Sequence, residues 1–186
     1  MNAEVRALWV MPWSLTSRAK IDSVIENAVL SGYNELLLEV RYRSDALYTP
    51  NNRSSRYYNP EPRSYILADN GFDPLAYAIK RGHEANLQVQ AWVVVFNATP
   101  LDRELIQKNY IFKNHPDWIT YDNTGQRMRN SDQFGYYIDP AIPEVREHLF
   151  EVFCDIVDGY PELDGLHLDY IRYPNVSLGF HPTSLE

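Results

Sequence analysis

The chain has one cysteine, Cys154, among its 186 residues. A lone thiol cannot close an internal disulfide, and this one has no metal-ligand spacing around it. It lies in a helical apolar pattern between Phe153 and Ile156 and reads as a small buried hydrophobe. Long hydrophobic runs are missing too: nothing approaches the roughly 20 residues that a membrane span needs, and the first six residues carry no apolar leader segment. As given, the chain is expected to be soluble. Positive charge is scarce, with 17 Lys and Arg against 25 Asp and Glu and a net charge of -8. With no basic run to offset it, that balance argues against a nucleic-acid footprint and against polyanionic partners. There is no internal repeat, no low-complexity tract, no interdomain linker and no Gly-rich phosphate loop.

What is present is a globular composition, 45% hydrophobic, long enough for one domain with a sizeable core. Aromatic residues make up 13% of the chain, including 14 Tyr and 4 Trp. Tyr and Trp offer a flat apolar face with a polar edge, which suits stacking on sugar rings, although most tyrosines are core-edge residues.

Periodicity and capping signals predict an alternating series. Residues 6–12 form a first strand stopped by Pro12. Ser17 caps a helix with an apolar stripe of Ile21, Val24, Ile25, Ala28 and Val29, and Gly32 ends it. Residues 35–41 form a second strand with Leu36, Leu38 and Val40 on one face and Leu37, Glu39 and Arg41 on the other. A polar loop from Tyr42 to Phe72 follows, at about thirty residues longer than structural connections usually are. Asp73 and Pro74 open a second helix that runs to about Asn86, and residues 88–96 form a strongly β-prone third strand. Residues 97–133 read as another long loop with a turn at Asn123-Thr124-Gly125. A short extended piece at 136–139 then leads to a helix opened by Pro143 and running to about Gly159. Residues 163–169 form the fourth strand.

The order β-α-β-α-β-α-β implies a parallel sheet with right-handed crossovers. Four β/α units are half of an eight-stranded barrel, so the expected fold class is α/β, a (β/α)8 TIM barrel of which residues 1–186 supply the N-terminal half. A complete small doubly wound domain is the competing reading. A half barrel leaves two sheet edges and apolar surface uncovered, so the isolated chain is expected to self-associate or to be poorly stable. Its oligomeric state is not encoded in any pattern.

The fourth strand carries the chemistry. Alternation puts Gly165, His167 and Asp169 on one face and Leu166 and Leu168 on the other. A carboxylate ending a parallel strand stands where (β/α) barrels keep their active sites, and Tyr170, Arg172 and Tyr173 follow in the rim loop. The alternative is an Asp that caps the next turn. Arg41 either holds a neighbouring carboxylate ionised or fills the barrel as an ion pair with Glu39 or Asp169. His167 either orients Asp169 and a sugar hydroxyl or is a structural histidine, and Trp92 either walls the sugar or packs the core. Trp13, Tyr42, Tyr48 and Tyr173 lie just past strand ends, where stacking platforms belong. Asp139 is a second carboxylate near the predicted cleft, or the cap of the following helix. No His/Cys/Asp grouping has metal spacing, so neither metal nor cofactor is expected.

An ordered set of motifs adds to this. Arg6-Ala-Leu-Trp-Val, Gly32-Tyr-Asn, Glu39-Val-Arg, Asp45-Ala-Leu-Tyr, Phe72-Asp-Pro-Leu, Gln90-Ala-Trp, His115-Pro-Asp-Trp, Asp139-Pro, Pro143-Glu-Val-Arg and the block from Asp164 to Pro174 run through nearly the whole chain. In this order they resemble the bacterial glycosyl-hydrolase-like family ten. The resemblance implies a TIM-barrel glycoside hydrolase acting on an oligosaccharide or polysaccharide. It also implies export to the periplasm, cell surface or exterior, with some members acting on peptidoglycan strands stripped of their peptides. By the family's likeness to the alpha-amylase-like group, Asp169 matches the nucleophile, and the general acid/base, a Glu after the fifth strand, is expected beyond residue 186. The 186-residue piece alone is then expected to be inactive. Gln90 and Val94 depart from the family's usual His and Asn, which leaves contacts from the third strand open. A non-catalytic glycan-binding relative is the reading from another class, and a downstream strand ending on Glu would separate the two. A metal-dependent polysaccharide deacetylase is disfavoured by the missing ligand set.

Overall fold

The computed structural model describes residues 4–68, 71–129 and 135–185. Residues 130–133 of the second long loop, the first three residues and Glu186 lie outside them. Four strands, β1 (Ala7–Val10), β2 (Glu35–Arg41), β3 (Gln88–Val94) and β4 (Gly165–Asp169), form one parallel sheet in the order β1-β2-β3-β4. Between them run α1 (Arg18–Leu30), α2 (Pro74–Glu84), the short α3 (Arg103–Lys108) and α4 (Tyr110–Asn114), and α5 (Pro143–Gly159).

The helices start where the capping signals put them. Ser17 Oγ accepts from Lys20 N at 3.4 Å, and Asp73 Oδ1 accepts from Ala76 N at 3.0 Å with Pro74 at the first helical position. Gly32, at φ +76°, supplies the left-handed residue that ends α1. Asp73 has a second task, because its Oδ2 accepts from the Tyr160 hydroxyl at 2.7 Å and so ties α2 to the end of α5. Asp73→Ala is expected to cost about 1–2 kcal/mol, at the upper end for a lost cap, because both bonds go. Denaturant unfolding checks this, and a cost under a few tenths of a kcal/mol would show that the cap carries nothing.

The strand faces divide as alternation requires. Leu36, Leu38 and Val40 of β2 and Val89, Ala91 and Val93 of β3 join the main core with Ile21 and Ile25 of α1, Leu75 and Ile79 of α2, and Val145, Leu149 and Ile156 of α5. Leu37, Trp92 and Val94 cluster on the opposite face with Ala7 and Tyr170. The central strands β2 and β3 are buried nearly throughout, as inner parallel strands are. β1 and β4 are the edges, and the exposed Trp9 (47%) and Leu168 (38%) lie on them.

Three expectations are corrected. β1 and β3 are shorter than predicted: Pro12 starts a 3-10 turn, and β3 ends at Val94, although Val95 N still donates to the Asp169 carbonyl at 2.8 Å. Residues 97–133 are not one loop: α3 is capped by Asp102, which accepts from Glu104 N and Leu105 N, and α4 by Asn109, which accepts from Phe112 N. The polar loop after β2 packs inward at Ala46, Leu47 and Tyr48, all fully buried.

Candidate functional site

The inner face of the sheet builds a layered polar and aromatic surface that rises toward the C-terminal strand ends. At its base Gln90 Nε2 donates to Glu35 Oε1 at 2.7 Å. Gly165 lies against Gln90, and a Cβ there would stand 3.0 Å from Gln90 Cδ. Above this, Trp9 meets Trp92 edge-on at 4.4 Å between centroids and His167 at 4.8 Å. At the top, Trp92 Nε1 donates to Asp169 Oδ2 at 3.1 Å and the Tyr170 backbone N–H donates to Oδ1 at 2.7 Å. Tyr170 has φ +54°, so the chain turns sharply once past the carboxylate. Both oxygens of Asp169 thus have a fixed donor, one from the neighbouring strand and one from its own turn.

Glu39, on the same face of β2, entered the sequence reading only as a partner for Arg41 and takes a place of its own in the site. It is 3% exposed, and its Oε2 has no hydrogen-bond partner. Burial pushes its carboxyl up to about 7, with Arg43 opposing and the charge of Asp169 adding to the rise. Period-two alternation already placed Glu39 beside Leu37 on this face, and that was the available signal. Because the folded pKa is raised from 4.5, Glu39 contributes stability that is complete below about pH 4.5 and lost as pH rises through about 7. Up to about 3 kcal/mol is at stake across that window. Glu39→Gln, neutral at every pH, should therefore gain on the wild type between pH 4 and pH 8. Unfolding curves that stay parallel across this range would refute the assignment.

Arg41 is not at this site. A bulge between Glu39 and Arg41 sets Arg41 opposite Val93, whose side chain joins the main core, so the side chain turns away from Glu39 and Asp169. It is fully buried. Its Nε and Nη2 donate to Glu61 Oε2 and Oε1 at 2.7 and 2.6 Å, and its remaining donors reach Ser44 Oγ and the carbonyls of Val94 and Val95. His148 Nε2 lies 2.9 Å from Glu61 Oε1. Burial alone would raise the Glu61 carboxyl, but the Arg41 charge and the bonds from His148 and Arg41 outweigh it and hold it at about 2. The expected pairing of Arg41 with Glu39 or Asp169 is replaced by a partner twenty residues further along the chain.

Tyr48 is likewise no platform. It is fully buried, its hydroxyl accepts from Asn59 Nδ2 at 2.6 Å, and its ring meets Tyr160 edge-on at 6.0 Å. Tyr173 donates to Asp139 Oδ1 at 3.0 Å, and burial and that carboxylate raise its hydroxyl to about 12. Asp139 is fully buried and accepts from Thr120 Oγ1 and Ala141 N, so it holds the loop ahead of α5 and does not cap the helix, whose N-cap is Ile142 with no side-chain bond. Trp13 is 53% exposed and meets Tyr42 edge-on at 6.0 Å; the Arg43 guanidinium lies 5.1 Å over the Tyr42 ring. Arg172 lies over Tyr170 at 5.3 Å. The structure thus gathers Asp169, Trp92 and His167 with Trp9 and Glu39, sets Trp13 and Tyr42 beside Arg43, and leaves Arg41 and Tyr48 in the interior. Among the described residues no three His, Cys, Asp or Glu side chains group as metal ligands, and no helix is long and apolar enough to cross a membrane.

The family model for glycosyl hydrolase-like 10 matches residues 4–186. The chain belongs to that family. Glycosyl hydrolase YngK of Bacillus subtilis is 24% identical over 194 residues, covering 93% of this chain and 34% of YngK, so the chain spans about a third of that relative. Among solved structures, a hypothetical protein from Ruminiclostridium thermocellum superposes with a TM-score of 0.65 at 17% identity, covering 93% of this chain and 80% of that one. The noncanonic maltogenic alpha-amylase AmyB of Thermotoga neapolitana gives a TM-score of 0.59 at 18% identity, with 92% and 40% covered. These likenesses show the fold: parallel β/α units of the barrel type found in glycosidases. Membership supports a glycoside hydrolase-like role for the chain.

Proposed function

We propose that the protein is a glycoside hydrolase that cleaves O-glycosidic bonds of a polysaccharide or cell-wall glycan, peptidoglycan strands among the candidates, with Asp169 as nucleophile. The observation that carries this is the carboxylate at the C-terminal end of β4, held by the Trp92 indole and the Tyr170 N–H with an aromatic layer beneath it. Attack on an anomeric carbon needs a carboxylate in a fixed orientation, and two donors aimed at the two oxygens of Asp169 provide that orientation. In a retaining enzyme the partner acid stands about 5–5.5 Å from the nucleophile. We assign that partner to sequence outside this chain, in keeping with the greater length of YngK. Trp13 and Tyr42 line the approach as stacking surfaces, while His167 and Arg172 supply polar contacts. Work at the cell surface or in the periplasm belongs to the same proposal.

The test is release of reducing ends by the intact protein from bacterial cell-wall glycans and from plant and storage polysaccharides. Turnover on at least one class is expected. Tight binding to a glycan with no release from any would replace the hydrolase with a glycan-binding protein.

A further inference from the structure

Glu39 is an acid that the fold encloses without pairing it. It stands at the bulge of β2, opposite Trp92 of β3, on the face that leads up to Asp169. It is 3% exposed, and its Oε2 is shut away with no hydrogen-bond partner. A carboxyl so enclosed does not hold a substrate, so whatever it does passes through a neighbour.

Its charged neighbours come from two directions. β4 supplies Asp169, whose charge opposes ionisation of Glu39, and the loop after β2 supplies Arg43, whose charge favours it. The same loop adds Asp45, a second enclosed acid that feels the charge of Glu39. β3 supplies Trp92, which does not titrate and whose Nε1 donates to Asp169 Oδ2 at 3.1 Å. His167 of β4 lies one strand beyond Trp92, against Trp9. Arg43 Nε and Nη1 are enclosed and unpartnered like Glu39 Oε2, so the cation and the acid meet through charge alone. Two carboxyls and one guanidinium thus share a dry corner, and only Asp169 has a donor on each oxygen.

When Asp169 attacks an anomeric carbon, an oxygen lone pair forms the new C–O bond and the glycosidic bond breaks. The leaving oxygen takes its proton from the partner acid, and the charge on Asp169 is consumed. Repulsion from an ionised Glu39 is present before that step and gone after it. An interaction that is unfavourable before the transition state and relieved within it lowers the barrier. Neutral Glu39 exerts no such repulsion, and burial keeps it neutral up to about pH 7.

We propose that Glu39 is a positioning residue for Asp169, setting a second carboxylate charge beside the nucleophile whose repulsion is relieved as the attack proceeds. The assignment rests on the glycoside hydrolase reading with Asp169 as nucleophile, and it adds a residue that acts on that nucleophile without touching the glycan.

Two measurements on the intact protein test it. The first follows the Asp169 carboxyl carbon by NMR in protein labelled at aspartate, with the signal assigned by its loss in Asp169→Asn. That signal should move through a step near pH 7 that is absent in Glu39→Gln. Arg43→Gln should carry the step to higher pH, because the charge that favours ionised Glu39 is gone. The second is kcat/KM of wild type and Glu39→Gln from pH 5 to pH 8, on the glycan that releases most reducing ends. Groups common to both proteins cancel in the ratio of wild type to variant. It should rise at least about threefold across the range, one unit of coupling being worth about tenfold. A side chain that merely packs would leave it flat. A flat or falling ratio overturns the proposal, as does a step that survives in Glu39→Gln. If Glu39→Gln does not fold, a step that stays at the same pH in Arg43→Gln overturns it instead. Cleavage with a flat ratio leaves the hydrolase standing and removes only the role of Glu39. A step that Glu39→Gln abolishes, with no glycan cleaved, does the reverse: the two carboxyls are coupled and the hydrolase reading falls.

Discussion

Asp169→Asn in the intact protein should lower hydrolysis by at least about a thousandfold while leaving glycan affinity within a few-fold of wild type. The amide has no charge with which to attack an anomeric carbon. Its shape is nearly unchanged, and its carbonyl oxygen can still accept from Trp92 Nε1, now at 3.1 Å from Oδ2. The amide nitrogen then faces the Tyr170 N–H, which donates to Oδ1 in the wild type, so one bond is lost at a cost of about 1 kcal/mol. The variant is therefore expected to fold, and the loss to fall on kcat rather than on binding. Initial rates, together with glycan titration of the variant, decide it. Wild-type turnover would remove Asp169 as nucleophile, and lost affinity with lost folding would mark it as a structural residue.

The largest effect on stability is expected from Arg41→Leu, at about 3–5 kcal/mol. Leucine takes away both donors to Glu61 and leaves that fully buried carboxylate with His148 alone. It also strips donors from the Val95 carbonyl and Ser44 Oγ, which hold the turn after β2. In the wild type the Glu61 carboxyl is held at about 2, so its contribution is complete above about pH 4.5 and is lost as pH falls toward 2. Without Arg41 that loss should begin at higher pH. Urea unfolding of both proteins from pH 3 to pH 7 measures the size and the shift together. A cost under 1 kcal/mol would mean that the pair gains no more in the fold than its desolvation takes away.

These two residues show how far local pattern reaches. Asp169 was visible because a strand of period two ends on it, and β4 places it at the C-terminal edge as that pattern requires. Ser17 and Asp73 mark helix starts because a cap is a contact within three or four residues, and Pro143 does so because its fixed φ suits the first helical position. Alternation, equally local, put Leu37 and Glu39 on the inner face. Arg41 obeyed the alternation on paper and departs from it in the sheet, since one bulge turns every later side chain of the strand to the other face. Its partner Glu61 sits in a loop whose path no periodicity describes. Tyr48 lies in the same loop, which folds inward and buries a ring that its place past a strand end sets on the surface. The short helices α3 and α4 carried their own signals in Asp102 and Asn109, each accepting from N–H groups two or three residues on. They were masked by the polar, proline-containing stretch around them.

By itself the amino-acid sequence determined the order of strands and helices, which strand faces are apolar, where helices begin, and that a carboxylate ends the fourth strand. All of these follow from interactions spanning a few residues. Only the tertiary structure decided that the Trp92 indole meets Asp169, that Trp9 and His167 close the layer below, that Glu39 is enclosed beside them, and that Arg41 belongs to Glu61. Those contacts join residues many positions apart. They depend on strand register, on a single bulge and on the course of a long loop, and a local pattern of side chains encodes none of these.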